Sequence, residues 1–249
     1  MGENNLRWLF SVYDPSIVGA DFIRPKEMKM KILLQRHGES VSNKQNLFTG
    51  LMDKELSDIG IAQGKLASEY IINNYKVDKI YSSTLKRAVQ TAHFTADKLN
   101  IEVIQKKDLV EYYAGDWEGK KLDDIKVLYP AESDIWVKDI SKVETPHGQK
   151  MSDFYNIKTK AFDEIINENK GFNGTILIVG HVLALMCIIC HITKGDIKYL
   201  KDIKYFPNAS MFDFDYDEKT KTFTNNKWGY CEYLQGMITS TYDDWNDDK

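Results

Sequence analysis

Short apolar runs that alternate with helical patterns constrain the fold of this chain more than any other feature. Four short runs rich in apolar residues are typical of strands: residues 31–35, 77–81, 101–105 and 175–179. Helical spacing follows them, with Ser57 as the predicted N-cap of one helix and Ser82 and Ser83 as caps of the next. This alternation predicts an α/β three-layer sandwich, a mostly parallel central sheet with helices on both faces.

Four further segments complete this predicted sheet and its helical layers. Residues 150–169 and 182–192 have helical patterns, the second of them almost entirely apolar. Residues 208–215 and 221–228 alternate apolar and polar side chains around a turn, which predicts an antiparallel hairpin at one edge of the sheet.

The composition indicates one globular domain rather than a fibrous or disordered chain. Of 249 residues, 43% are hydrophobic and 28% are charged. We assign residues 1–28 to an N-terminal extension of unknown role, 29–232 to the domain and 233–249 to an acidic tail. The extension lacks the continuous apolar core of a signal peptide, and the apolar run 176–192 is too short for a membrane helix.

Charge and cysteine usage restrict partners and location. The net charge of −4 gives no reason to expect nucleic acid as a partner, and no membrane contact is expected. Three cysteines without framework spacing favour a reducing cytoplasm. Cys187, Cys190 and His191 match a haem-attachment pattern, but they lie in an apolar helix without an export signal, so we interpret them as buried thiols. No further Cys/His pair has the ligand spacing of a zinc site, and we expect neither a cofactor nor a metal.

Histidines and arginines stand where the predicted strands end. Ligands of open α/β sheets bind outside the carboxyl ends of strands, and two strands end at His37 and His181. Arg36 precedes His37, and Arg87 lies in the helix after the second strand. The chain has only four arginines against 29 lysines, so arginine stands where its planar, two-pronged hydrogen bonding to phosphate matters.

Several short motifs occur in a fixed order along residues 30–230. They are Arg36-His37-Gly38-Glu39-Ser40, Asn43, Phe48-Thr49-Gly50, Leu56-Ser57, the segment 81–92 with Arg87, the segment 111–119, Val179-Gly180-His181 and Asn208-Ala209-Ser210. This series resembles the histidine phosphatase superfamily of phosphoglycerate-mutase-like enzymes. An ordered set of matches in the expected structural context is far more specific than one short motif.

The resemblance implies a phosphoryl-transfer site without a metal. It places the nucleophile on His37 and assigns Arg36, Arg87 and His181 to a cradle around the phosphoryl oxygens. Glu111 would protonate the leaving alkoxide. The remaining family matches, expected to line the phosphate pocket, are Gly38, Asn43, Thr49 and Gly50. The two arginines should disfavour the imidazolium form of His37 and keep it nucleophilic in mild acid.

Three functions fit this resemblance. The first is a phosphomonoester hydrolase that acts on a small phosphorylated metabolite through a phosphohistidine. The second is a cofactor-dependent phosphoglycerate mutase; against it, Tyr112 follows Glu111 where mutases carry arginine, and no arginine occurs after Arg87, although Lys120 or Lys121 could compensate. The third is a catalytically weak relative that binds phosphorylated ligands.

Three details near the site carry separate expectations. Val182 follows His181 where relatives carry glycine, so the turn is expected to be crowded or the pocket narrowed. Tyr112, Tyr113 and Trp117 are expected to form an aromatic rim. The acidic residues Glu39, Asp116 and Glu118 are interpreted as solvated or structural, without chemistry.

Overall fold

The computed structural model describes residues 29–239, which form a six-stranded sheet in the order β3-β2-β4-β1-β5-β6. The strands are β1 (Lys29–Arg36), β2 (Val77–Ser83), β3 (Val103–Lys106), β4 (Thr175–Gly180), β5 (Met211–Asp217) and β6 (Thr222–Tyr230). The first four strands pair in parallel, and β5 and β6 add an antiparallel hairpin at one edge. The predicted sheet and edge hairpin are therefore confirmed.

Helices cover both faces of this sheet. They are α1 (Val41–Lys44), α2 (Asp58–Asn74), α3 (Lys86–Leu99), α4 (Leu122–Leu128), α5 (Pro130–Lys138), α6 (Met151–Glu168) and α7 (Val182–Lys194). Successive side chains of β1 point to opposite faces of the sheet and so belong to two parts of the core. Ile32 and Leu34 pack on the side of α6 and α7, whereas Leu33 packs on the side of α2 and α3. Both faces of the central strands are thus buried, which explains their apolar composition.

The structure corrects one predicted helix start and confirms another. The Ser57 side chain accepts the backbone N–H of Gly60, so Ser57 caps α2 as expected. Ser82 and Ser83 do not cap the next helix; they end β2, and α3 begins at Lys86 after Leu85. The Ser83 hydroxyl still accepts the backbone N–H of Leu85 at 3.2 Å, so the turn keeps a cap-like contact without being the helix end.

The end of the described chain packs against the domain. Leu234 is buried with Ala67 and Ala209, and the Gln63 amide donates to the carbonyl of Met237 at 2.8 Å. The extension 1–28 and residues 240–249 of the acidic tail lie outside the described residues, so the proposed division of the chain stays a prediction. Within residues 29–239, the helices are too short or too polar to cross a bilayer.

Candidate active site

Strand pairing brings two histidines to one place. In the parallel pair β1 and β4, Arg36 lies opposite Gly180, and the His37 N–H donates to the Gly180 carbonyl at 3.0 Å. The next residue on each strand is then a histidine, and the rings of His37 and His181 lie 5.0 Å apart between centroids. Both rings are buried, and they meet at the carboxyl ends of the parallel strands, where the sequence placed each of them.

Arg87 enters the same place from the first turn of α3. Its Nε–H donates to Nε2 of His37 at 3.3 Å. The other nitrogens are held by backbone carbonyls, Nη1 by that of Met52 at 2.7 Å and Nη2 by that of Gly50 at 2.8 Å. The guanidinium is buried and fixed by three directional contacts, so its orientation toward His37 is set before any ligand binds.

The hydrogen bonds of His37 determine which ring nitrogen carries the hydrogen and which carries the lone pair. Nδ1 lies 2.6 Å from the carbonyl oxygen of Gly38, which can only accept, so Nδ1 carries the hydrogen. Nε2 therefore keeps its lone pair and faces Arg87. Burial, with the charges of Arg87 and Arg36 beside it, holds the pKa of His37 well below its ordinary value of 6.5. The imidazole is thus neutral in the free protein at neutral pH.

His181 presents an unpaired nitrogen to the same space. Its Nε2 lies 2.8 Å from the hydroxyl of Ser83, while Nδ1 is buried and has no hydrogen-bond partner among the described residues. The Ser83 hydroxyl accepts the N–H of Leu85 and can donate its own hydrogen to Nε2 of His181. When Ser83 donates in this way, the ring hydrogen of His181 lies on Nδ1, where it can donate to a ligand oxygen; the sequence assigned Ser83 only to capping.

Glu111 reaches the site from the segment after β3. Its Oε1 accepts the N–H of Tyr112 at 2.8 Å, and its Oε2 accepts the N–H of Leu183 at 3.1 Å, in the first turn of α7. Burial raises the pKa of Glu111 above 4.5, against the effect of these two N–H donors and of Arg87. The Leu183 N–H in the first turn of α7 therefore faces the Glu111 carboxyl group, and the pKa raised by burial suits that group to hold a proton.

Arg36 is the fifth residue that the sequence singled out, and it is buried beside the histidines. Its Nη1 donates to the carbonyl of Phe206 at 2.5 Å, and its backbone N–H donates to Ser210 at 3.0 Å. Its charge contributes to the lowered pKa of His37 and of His181. The structure thus brings together all five residues, two cations, two neutral imidazoles and one carboxyl group.

The four predicted pocket residues have separate surroundings. The Gly38 N–H donates to the Thr91 hydroxyl at 3.1 Å, and a side chain at Gly38 would lie 2.5 Å from the Gly60 carbonyl, so glycine permits close packing there. The Asn43 amide oxygen accepts from Ser40 at the start of α1. The Thr49 hydroxyl donates to Leu47 at 3.2 Å, and the Gly50 carbonyl holds Arg87. Their contact with a phosphate stays a prediction.

The expected aromatic rim is only partly correct. Tyr113 is 43% exposed, but Tyr112 and Trp117 are fully buried. Trp117 packs edge-on against Phe48 at 5.7 Å between ring centroids, and Tyr112 packs against Phe154 at 5.4 Å. Tyr112 and Trp117 therefore pack in the core and anchor the segment after Glu111, and they do not line the entrance to the site.

Two residues near the site, Asn208 of the motif series and Lys158, were given no role from the sequence. The Asn208 amide donates to the carbonyl of His37 at 3.3 Å and so helps to fix the backbone of this histidine. Lys158 is buried on α6 with Nζ 4.6 Å from the Phe154 ring centroid, and burial lowers its pKa to about 8 despite the Glu111 charge. A lysine four residues after Phe154 on the apolar face of a helix was the available signal.

Val182 is buried in the core as the first residue of α7, and the following N–H, that of Leu183, reaches Glu111. The crowded turn or narrowed pocket expected from this valine stays a prediction. Among residues 29–239 no group of three or more His, Cys, Asp or Glu side chains is arranged to hold a metal ion.

Comparison with known sequences supports one family. A model of the histidine phosphatase superfamily (branch 1) matches residues 32–228. Phosphoserine phosphatase 1 of Hydrogenobacter thermophilus is 32% identical over 168 residues, which are 68% of this chain and 78% of that protein. The 2,3-bisphosphoglycerate-dependent phosphoglycerate mutase of Elusimicrobium minutum is 26% identical over 224 residues, which are 76% of this chain and 87% of that enzyme.

Solved structures share the fold. YhfR of Bacillus stearothermophilus superposes with a TM-score of 0.75 at 24% identity, covering 82% of this chain and 99% of that one. A mycobacterial glucosyl-3-phosphoglycerate phosphatase in complex with VO3 superposes with a TM-score of 0.73 at 21% identity, covering 80% and 98%.

Proposed function

The chain belongs to the histidine phosphatase superfamily (branch 1), and from this premise we propose that it is a phosphomonoester hydrolase that acts through a phosphohistidine at His37. The observation that carries the proposal is the position of His37 Nε2, 3.3 Å from Arg87 Nε in a ring that lies 5.0 Å from His181. A lone pair flanked by fixed donors can attack phosphorus while those donors hold its oxygens.

In the first step Nε2 of His37 attacks phosphorus and the ester P–O bond breaks. Negative charge on the phosphoryl oxygens is met by Arg36, by Arg87 and by the Nδ1–H of His181. Glu111 transfers its proton to the leaving alkoxide and becomes a carboxylate. The products of this step are the free alcohol and a phosphorylated imidazole.

In the second step water attacks the phosphorus atom of the phosphorylated imidazole. The Glu111 carboxylate takes the proton of that water, the N–P bond breaks, and inorganic phosphate leaves with His37 neutral again. Nδ1 keeps its hydrogen throughout, because it donates to the Gly38 carbonyl. The cycle restores every group to its starting protonation state.

The small number of arginine side chains favours hydrolysis over mutase activity. A mutase must retain a bisphosphorylated intermediate, which needs more positive charge than the transferred phosphoryl group alone. Tyr112 is buried immediately after Glu111, and the sequence has no arginine after Arg87. A relative that shares 32% of the aligned residues is a phosphoserine phosphatase, which also supports hydrolysis of a small phosphorylated metabolite.

A panel of phosphorylated substrates separates the candidate functions. Wild type and His37→Ala are incubated with phosphoserine, sugar phosphates and 3-phosphoglycerate, and inorganic phosphate is measured. Release by wild type alone supports the hydrolase. Conversion of 3- to 2-phosphoglycerate that requires the bisphosphate supports the mutase. Phosphate binding without turnover supports a binding relative.

The proposed chemistry needs no metal, since arginine and histidine supply the positive charge that a cation provides in other phosphoryl-transfer sites. Treatment with EDTA is expected to leave the rate of phosphate release unchanged. A rate that falls with EDTA and recovers with one divalent cation would contradict this part of the proposal.

A further inference from the structure

The Glu118 carboxylate joins two segments of the site. Its Oε1 accepts the N–H of Leu51 at 2.9 Å and the N–H of Ala114 at 3.3 Å. Leu51 belongs to the loop after Phe48, and Ala114 belongs to the segment that follows Glu111. One side-chain oxygen therefore connects the loop beside Arg87 with the segment that carries the proposed general acid.

The peptide between Gly50 and Leu51 is held from both sides. Its carbonyl accepts Nη2 of Arg87 at 2.8 Å, and its N–H is the group that donates to Glu118 at 2.9 Å. The C=O and N–H of a trans peptide are fixed in one plane and point in opposite directions. Holding the N–H on Glu118 therefore aims the carbonyl at Arg87.

Gly50 shows how closely this peptide approaches the carboxylate. It has a φ of +43°, and a Cβ there would lie 2.2 Å from Oε1 of Glu118 and 2.8 Å from the Tyr112 carbonyl. A side chain would push the peptide away from both partners. The glycine thus permits the contact that Glu118 makes.

We propose that Glu118 is a positioning residue, which orients the Gly50–Leu51 peptide so that its carbonyl fixes the Arg87 guanidinium against His37. The inference rests on the proposed function in one respect, namely that Arg87 binds the phosphoryl group. It assigns Glu118 no contact with substrate.

The surroundings of Glu118 act on its pKa in both directions. Burial raises the pKa of Glu118, and its N–H donors and the nearby Arg87 act in the opposite direction. Its role rests on acceptor geometry, so an amide oxygen at the same position should serve nearly as well as a carboxylate oxygen.

The test measures binding of inorganic phosphate by calorimetry, so that it does not depend on turnover. We compare wild type with Glu118→Gln, Glu118→Ala, Arg87→Ala and the double variant Glu118→Ala/Arg87→Ala. Asp116→Ala is the matched control, because Asp116 lies in the same segment and pairs with the exposed His147. Thermal denaturation verifies that each variant is folded.

The expected result is a loss of affinity of about 10- to 100-fold for both Glu118→Ala and Arg87→Ala. The double variant should bind no more weakly than Arg87→Ala, because a residue that acts through Arg87 has no effect once Arg87 is absent. Glu118→Gln should stay within about threefold of wild type, and Asp116→Ala should be unchanged.

Three results would overturn the inference: unchanged affinity in Glu118→Ala, losses that add in the double variant, or Glu118→Gln as weak as Glu118→Ala. A wild type that binds no phosphate overturns it together with the proposed function. A wild type that binds phosphate with the expected variant pattern but hydrolyses no ester refutes only the proposed function.

Discussion

The Nε–H of Arg87 donates to Nε2 of His37 across 3.3 Å, so the guanidinium lies against the unprotonated nitrogen and bonds to its lone pair when no ligand is bound. The same guanidinium is held from behind by the carbonyls of Met52 and Gly50. A phosphoryl group that approaches Nε2 must therefore meet this donor, whose orientation is already fixed. Preorganisation of this kind lowers the reorganisation needed in the transition state.

Arg87→Lys should lower kcat for a phosphomonoester by about 10²- to 10³-fold. One ammonium group cannot contact the Met52 carbonyl, the Gly50 carbonyl and a phosphoryl oxygen with the fork geometry of guanidinium. Steady-state kinetics on p-nitrophenyl phosphate measure the loss. Lys86→Arg, at the neighbouring exposed position, is the matched control and should leave kcat unchanged. A kcat near wild type in Arg87→Lys would show that catalysis does not need the guanidinium geometry of Arg87.

His37 should become phosphorylated during turnover. Wild type quenched by alkaline denaturation while it hydrolyses a 32P-labelled substrate should retain label that acid removes and base does not. His37→Ala should retain none, while His93→Ala, at an exposed histidine paired with Asp97, should label like wild type. Label that persists in His37→Ala would place the nucleophile elsewhere.

The sequence placed the two histidines at the carboxyl ends of strands, and the family resemblance implied that they meet around one phosphoryl group; the strand order itself was not predicted. Carboxyl ends of adjacent parallel strands lie at one edge, so His37 and His181 had to be neighbours once β1 and β4 paired. The scarcity of arginine drew attention to Arg36 and Arg87, whereas only the motif series distinguished Glu111 from the other acidic residues.

Contacts that depend on tertiary packing were not predictable in the same way. Ser83 has the residue type and position of a helix cap, and only the register of β2 against β4 turns its hydroxyl toward His181. Trp117 is buried because Phe48 and Trp136, distant in sequence, pack around it. Glu118 belonged to the solvated or structural class, and its contact with Leu51 became evident only from the folded loop.

The acidic limb of the pH profile of kcat/KM should lie at low pH. Protonation of His37 abolishes nucleophilicity, and since its pKa is held well below 6.5, activity should fall only at pH values well below 6.5. The alkaline limb should come from loss of the Glu111 proton, whose pKa is raised above 4.5. An acidic limb at or above pH 6.5 in wild type would contradict the assignment of a neutral, buried His37.

Val182→Gly should lower stability more than activity. Val182 is buried in the core at the first position of α7, so its removal should cost about 2 kcal/mol of unfolding free energy through lost apolar burial and greater chain entropy. The Leu183 N–H would still reach Glu111, so kcat/KM should change by less than about threefold, which corresponds to under 1 kcal/mol. Urea denaturation and kinetics measure the two effects, and a large gain in kcat/KM would show that the valine does crowd the pocket.

Glu111→Gln separates proton transfer from the other steps by its dependence on the leaving group. Glutamine keeps an oxygen for the N–H of Tyr112 or Leu183 but has no proton to give, so hydrolysis of an alkyl phosphate should fall by about 10²- to 10⁴-fold. p-Nitrophenolate leaves without protonation, so phosphorylation of His37 by p-nitrophenyl phosphate should be nearly unaffected. The pre-steady-state burst of p-nitrophenolate should therefore persist in Glu111→Gln, while the following steady-state rate falls because water lacks its general base. The same loss on both substrates in the burst phase would mean that Glu111 acts by shaping the pocket and not by moving a proton.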